Sequence, residues 1–336
     1  MPLPMRAFRY GSGADCAVFI THAVVAGVPP PHLANMFRCK TAASYEADLR
    51  WLIRRFQFVG YEDVEASLNG TRPLPKNAAL LTFDDGFAEV HSTVRPILRG
   101  LGIPALIFVT KSLLDNRTLS EDCKASLCID RLLNLDPAQR ASLLKTAGVC
   151  DYDNSQSVDV APQLRRLLLL DGTITDSLWS HFGLDEWEYL HDSRPFLTSE
   201  QVMEMSSDGF SFGGHATAHR RLQDFSLREL EEDIVQSCEA VIELTGEPTV
   251  PFAFPYTGQG IRRDWLASIQ TRHSCVGLFF DVGGLKRERS LVWHRLNIEE
   301  PGESVGTTVR RAYLLALRDA ATRAVRNVFS GQRVPA

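Results

Sequence analysis

Residues 78–109, AALLTFDDGFAEVHSTVRPILRGLGIPALIFV, decide the architecture of this chain. Ala78 to Phe83 is a continuous apolar run, the pattern of a central parallel strand covered on both faces. Phe87 to Arg99 reads as a helix, and Gly100 and Gly102 as its stop. Pro104 to Val109 is the next buried strand. Strand, helix and strand within about thirty residues form a βαβ unit, so the class is α/β.

The same rhythm extends to both sides. Ala17 to Thr21 is an earlier apolar strand. Ser44 to Phe58 reads as a helix, with Ser44 as N-cap and Tyr45, Leu49, Leu52, Ile53 and Phe56 on one face. From Lys111 to Pro195 Leu-rich helical stretches (Ala141 to Lys145, Gln163 to Leu170) alternate with polar, Asp-rich segments. This region reads as a mainly helical insertion in a barrel loop, either a cover over the domain or a substrate lid. The rhythm then returns with helix Ser199 to Ser207, strand Phe210 to Gly214, helix Ser226 to Thr245 and strand Val250 to Phe254. A turn-rich link, Asp281 to Arg289, leads into strand Leu291 to Ile298, and a last helix runs from Ser304 to Asn327. The expected organisation is a barrel from 1–110 and 196–300, an insertion over 111–195 and a C-terminal helix within 301–336.

The 336 residues are 44% hydrophobic and 23% charged, with net charge −5, enough to bury a full core. No cluster of five or more Lys/Arg occurs, which argues against a nucleic-acid partner. Cys16 to Ile20 is the only apolar run near the N-terminus and is too short for a signal peptide or a membrane span. The seven cysteines at 16, 39, 123, 128, 150, 238 and 275 are scattered, with no C-x-x-C pair. That usage fits buried free thiols and a cytoplasmic setting.

Two segments carry candidate chemistry. In Thr82-Phe83-Asp84-Asp85-Gly86 adjacent carboxylates sit where a buried strand ends, and strand C-termini face the ligand crevice in parallel α/β folds. Like charges so close repel unless a cation or a shared proton compensates them. One carboxylate on a metal with its neighbour as a base satisfies both; an ordinary Asp-Asp-Gly turn capping a helix is the alternative. Gly213-Gly214-His215-Ala216-Thr217-Ala218-His219 follows a second buried strand. Histidines four apart can share one face of a helical turn, which is metal-ligand spacing. Two imidazoles and one carboxylate make a three-ligand site with open positions, the catalytic rather than the structural zinc pattern.

LLTFDDGF, FGGHATAHRRL and PFAFPYTG resemble the first three motifs of the polysaccharide deacetylases, carbohydrate esterase family four (the NodB-homology domain), in a subgroup with an FAFPYG-like third motif. The resemblance covers residues 16 to 110 and 196 to 298. It implies a distorted (β/α) barrel, seven-stranded, and a divalent metal, usually zinc. It implies Asp84 as general base, Asp85, His215 and His219 as metal ligands, and Pro255 and Tyr256 as the third motif, whose Tyr N–H helps hold the oxyanion. The family's usual Arg in that motif is missing from Pro251-Phe252-Ala253-Phe254-Pro255-Tyr256, and Arg295 is the candidate substitute. The family's late acid His is best matched by His294 in Val292-Trp293-His294. His22, in Ile20-Thr21-His22-Ala23-Val24, resembles an early Tyr-His-x-Val, as a substrate-binding rim residue or a structural His. Phe87, Trp187, Trp265 and Trp293 could stack on a sugar or belong to the core.

The resemblance implies removal of an N-acetyl group from an acetamido sugar, on a glycan, nucleotide-sugar or glycoside precursor in polysaccharide or O-antigen biosynthesis. Hydrolysis of a non-sugar amide or imide on the same barrel is an alternative. Another is a non-catalytic sugar-binding relative, which would have no need to keep both the Asp pair and the His pair.

Overall fold

The computed structural model describes residues 16–149, 160–285 and 291–329. Seven strands, β1 (Cys16–Thr21), β2 (Ala78–Phe83), β3 (Ala105–Val109), β4 (Ser211–Gly214), β5 (Val250–Ala253), β6 (Val276–Val282) and β7 (Val292–Asn297), pair in chain order. Every pairing is parallel, and β1 closes the ring by pairing with both β7 and β2. The chain is therefore a closed seven-stranded barrel with helices around it. Closure removes sheet edges, which is why β1, β2 and β3 are buried at every residue.

Side chains alternate across the wall with period two. Cys16, Val18, Ala78, Leu80, Leu106, Phe108, Ala253, Leu278 and Phe280 pack together as the barrel interior. Their alternates Ala17, Phe19, Ala79, Leu81, Ala105, Ile107, Phe252 and Phe279 pack outward with the surrounding helices. Gly213 is required by this interior. A Cβ there would lie 2.7 Å from ring atoms of Phe108 and 2.6 Å from the Pro251 carbonyl oxygen.

The region after β3 forms helices Glu121–Leu133, Pro137–Thr146, Val160–Leu170, Gly172–His181 and Glu186–Ser193. They have their own core, including Cys128, Ile129, Leu132, Leu144, Leu164 and Leu178. Ser126 Oγ donates to the Pro31 carbonyl at 2.6 Å, and Asn35 Nδ2 donates to the Ser126 carbonyl at 3.1 Å, which anchors the first of these helices to the loop after β1. Among the described residues no disulfide joins the six cysteines, of which Cys16, Cys123, Cys128 and Cys238 are buried; Cys150 lies outside the described residues. Among the described residues no helix is long and apolar enough to cross a membrane.

Several elements differ from the sequence reading. The helix expected over 44–58 spans Ala42–Ile53, and its N-cap is Thr41, whose hydroxyl accepts from the Ser44 N–H at 3.3 Å. It stops early because Gln57–Phe58 pair with the start of β2. The helix after Phe87 begins as a wide turn, Val90–Val94, before regular helix Arg95–Leu101; Pro96 lacks the N–H that regular winding would use. Helix Arg263–Arg272 and strand β6 were not anticipated. RDWLASIQTR has a weak apolar stripe, and Gly277 and Asp281 interrupt the apolar run of β6, whose end takes the first two residues of the expected link. Residues 286–290 of that link lie outside the described residues.

Candidate active site

Barrel alternation aims the site. Positions 78, 80, 82 and 84 share the inward face of β2, so Asp84 continues the interior row over Thr82. In a regular strand Asp85 would point outward. It instead adopts φ +70°, and Gly86 follows at +73°, so the chain turns and both carboxylates face one cavity. The cavity measures about 390 Å³ and is lined by Asp84, Asp85, His215, His219, His22 and Tyr256, among others.

His215 and His219 do not share a helical turn. They lie on a loop in which Ala216 (φ +66°) and His219 (φ +49°) are left-handed, and this brings the two rings to 5.1 Å between centroids. The loop is pinned from three sides. Thr110 Oγ1 donates to the His215 carbonyl at 2.8 Å, and Ser112 N–H donates to the Thr217 carbonyl at 2.8 Å. Asp233, on helix Leu227–Thr245, accepts from the Thr217 N–H at 3.0 Å and from its hydroxyl. Strained backbone of this kind persists where surrounding bonds over-determine it.

His215 Nε2 lies 3.2 Å and His219 Nε2 3.1 Å from the same oxygen, Asp85 Oδ1. That oxygen is buried and makes no hydrogen bond of good geometry. The donor atoms of Asp85, His215 and His219 lie within 4.8 Å of one another. His215 Nδ1–H donates to the Ala253 carbonyl at 2.9 Å, which turns its Nε2 lone pair toward Asp85. Three donors converging on one point, with an orphaned buried oxygen among them, fit a divalent cation bound by two imidazoles and a carboxylate.

Asp84 is held separately. Arg295 Nη1 donates to Asp84 Oδ1 at 2.5 Å and Nη2 to Oδ2 at 2.8 Å, a two-pronged contact inside the barrel. Arg295 is 1% exposed and its guanidinium lies over Phe108, 5.3 Å from the ring centre. Burial by itself raises the Asp84 carboxyl, but Arg295, then His215, outweigh it and hold it below the ordinary carboxylate value. Burial likewise raises Asp85, and the two imidazoles pull it well below that value.

The alternation that puts Arg295 inside puts His294 outside. Val292 and Leu296, on the same face as His294, pack in the outer layer. The His294 ring meets the Val282 carbonyl at 3.2 Å through Nδ1 and does not line the cavity. His22 does line it. Its backbone N–H donates to Glu299 Oε1 at 2.7 Å and its Nδ1 pairs with the same oxygen. Burial lowers the His22 pKa, but Glu299 more than reverses this, raising it to about 9.

Tyr256, three residues past the end of β5, has φ +57° and its ring lies 5.0 Å from that of His219; Pro255 is buried beneath it. Pro255, Tyr256 and Trp265 line a neighbouring groove of about 1070 Å³. None of the four aromatics considered as sugar platforms lines the cavity around Asp84 and Asp85. Phe87 is fully buried in the core, Trp293 packs against the barrel interior, and Trp187 is 74% exposed beside His191. Asp122, Arg165 and Glu299 line the cavity and were not anticipated. Glu299 shares the parity of Arg295 two strides on; an acidic residue in the first turn of a helix, as Asp122 is, carries no such signal.

A closed parallel barrel with a two-histidine, one-carboxylate cluster and a second, Arg-held carboxylate at its C-terminal rim defines a hydrolase-type site. The polysaccharide deacetylase family model matches residues 71–270, and the chain belongs to that family. Among solved structures it is similar to the deacetylase PplD of Streptococcus pyogenes, solved with acetate (16% identity, TM-score 0.55, 88% of this chain and 98% of that one). It is also similar to IcaB from Ammonifex degensii (17%, 0.54, 91% and 98%) and to a de-N-acetylase from Aggregatibacter actinomycetemcomitans (17%, 0.52, 88% and 99%). At these identities the likeness is one of fold. No curated protein matches the chain.

Proposed function

We propose that this protein is a metal-dependent N-deacetylase of acetamido sugars, acting on a glycan, nucleotide-sugar or glycoside precursor in polysaccharide or O-antigen biosynthesis. The observation that carries the reading is the convergence of His215 and His219 on Asp85 with Asp84 beside them, paired to Arg295. Asp85, His215 and His219 hold the cation, most readily zinc. When bound, it lowers the pKa of a water and polarises the amide carbonyl. Asp84, kept ionised by Arg295, takes the proton from the attacking water. The Tyr256 backbone N–H donates to the developing oxyanion. The leaving amine needs a proton, and His22 is better placed than His294 to deliver it, because it lines the cavity and Glu299 maintains its protonated form. The scattered cysteines, with no disulfide among the six described, support a cytoplasmic setting, which cell fractionation tests.

The test is acetate release across a panel of acetamido sugars, nucleotide sugars and cyclic amides, with metal analysis of the purified protein. The expected result is metal-dependent acetate release from at least one sugar. Asp84→Asn should retain the metal and lose 10²-fold or more in turnover, a magnitude of about that order being usual for a general base. Turnover of cyclic amides alone refutes the sugar assignment, and undiminished release by Asp84→Asn refutes the base.

A further inference from the structure

The helix Glu121–Leu133 belongs to the region between β3 and β4, outside the barrel, yet it sends one side chain into the cavity. Asp122 is 5% exposed. Its Oδ2 accepts a hydrogen bond from the Tyr256 hydroxyl at 2.8 Å and lies 3.4 Å from His219 Nδ1. The two histidines of the cluster are thereby treated alike. His215 turns its Nδ1 to the Ala253 carbonyl of the barrel, and His219 turns its Nδ1 to a carboxylate of the inserted helix. In both cases the opposite nitrogen faces Asp85 Oδ1.

We propose that Asp122 is a positioning residue through which the inserted helix completes the metal site. It holds the His219 ring with Nε2 toward the cation and at the same time tethers Tyr256 over that ring. This rests on the metal-dependent reading above. The physical need is specific. His219 sits in left-handed backbone at the end of an exposed loop segment, where Ala218 and Arg220 on either side are exposed. Without a partner on Nδ1, its ring has no fixed tautomer or orientation. Tyr256 is also left-handed, and its hydroxyl bonds across to Asp122, joining the segment after β5 to the insertion. One carboxylate oxygen therefore sets a ligand and the residue assigned to the oxyanion.

The test measures zinc affinity of the full chain by chelator competition for the parent, Asp122→Ala, Asp122→Asn, Tyr256→Phe and Glu121→Gln. Loss of the carboxylate in Asp122→Ala should weaken zinc binding about 10- to 100-fold, the range typical of partners that orient a ligand. Asp122→Asn keeps an accepting oxygen and should lose less, about threefold to tenfold on the same basis. Tyr256→Phe should leave zinc affinity within about twofold while lowering kcat, because only the tether is cut. Glu121→Gln changes the charge of the same helical turn without reaching the cavity and should bind zinc as the parent does. Zinc affinity of folded Asp122→Ala within twofold of the parent overturns the proposal, as does an equal loss in Glu121→Gln. If Asp122→Ala fails to fold, unchanged affinity in Asp122→Asn overturns it. A parent protein that binds no divalent ion overturns the underlying reading and this proposal with it.

Discussion

The contact between Arg295 and Asp84 offers the sharpest test, because stability and catalysis should respond in linked and opposite ways. Both side chains are buried, at 1% and 2% exposure, so bulk solvent replaces a lost partner poorly. Arg295→Met keeps most of the side-chain volume and removes the charge. It leaves an ionised carboxylate in the barrel interior, an error that costs about 3–5 kcal/mol when one partner of a buried pair is removed. The carboxyl relieves part of this by holding its proton, since burial is the largest influence on it and raises its pKa once Arg295 is gone. In the parent the depressed pKa contributes stability that is fully present above the unfolded value of about 3.9 and is lost as pH falls through the folded value. In Arg295→Met the sign reverses: Asp84 opposes folding at neutral pH, and this penalty shrinks as the pH falls below its raised pKa toward the unfolded value. Urea unfolding of the metal-free proteins between pH 4 and 8, values chosen to bracket that reference pKa, should therefore show a gap between parent and variant that narrows toward acid. The double variant Asp84→Asn/Arg295→Met, with no buried charge, should recover most of the loss. In parallel the acid limb of kcat/KM should move to higher pH, at about tenfold in activity per unit below it. A variant that loses less than about 1 kcal/mol, with its acid limb unmoved, refutes the claim that Arg295 holds the base.

The choice between acids is equally open to test. His22→Gln should lower turnover about 10²- to 10⁴-fold, whereas His294→Gln should cost less than about tenfold; the opposite ranking would restore His294. With His22 raised to about 9, the alkaline limb of kcat/KM should lie near there, and Glu299→Gln should draw it down, since the supporting charge is lost. A limb that stays in place in Glu299→Gln removes the pairing from the mechanism. Gly213→Ala places a methyl 2.7 Å from the Phe108 ring and should cost about 1–3 kcal/mol by overpacking, read as a lower urea midpoint. No change in that midpoint would mean the wall is looser than the contacts imply.

The βαβ rhythm of residues 78–109 was legible because buried parallel strands must be apolar on both faces, which leaves continuous runs that sequence alone displays. Asp84, Asp85, His215 and His219 were legible as a set because each pair stands at the end of such a run, where parallel strands present their ligands. Arg295 could be named only as a candidate, because its partner is 211 residues away and the contact exists only in the closed barrel. The histidine spacing suggested a helix, but the bonds from Thr110, Ser112 and Asp233 hold that loop in left-handed backbone, and those bonds come from other elements. His294 and Arg295 are neighbours in the chain, and period-two alternation sends them to opposite sides of the wall. That alternation is local chemistry, but which side encloses the cavity is decided when β1 closes against β2 and β7. Asp122 left no trace in the sequence, since its role depends on where the inserted helix docks. Local pattern thus determined the strands and the residue types of the site, and long-range packing decided which of those residues meet.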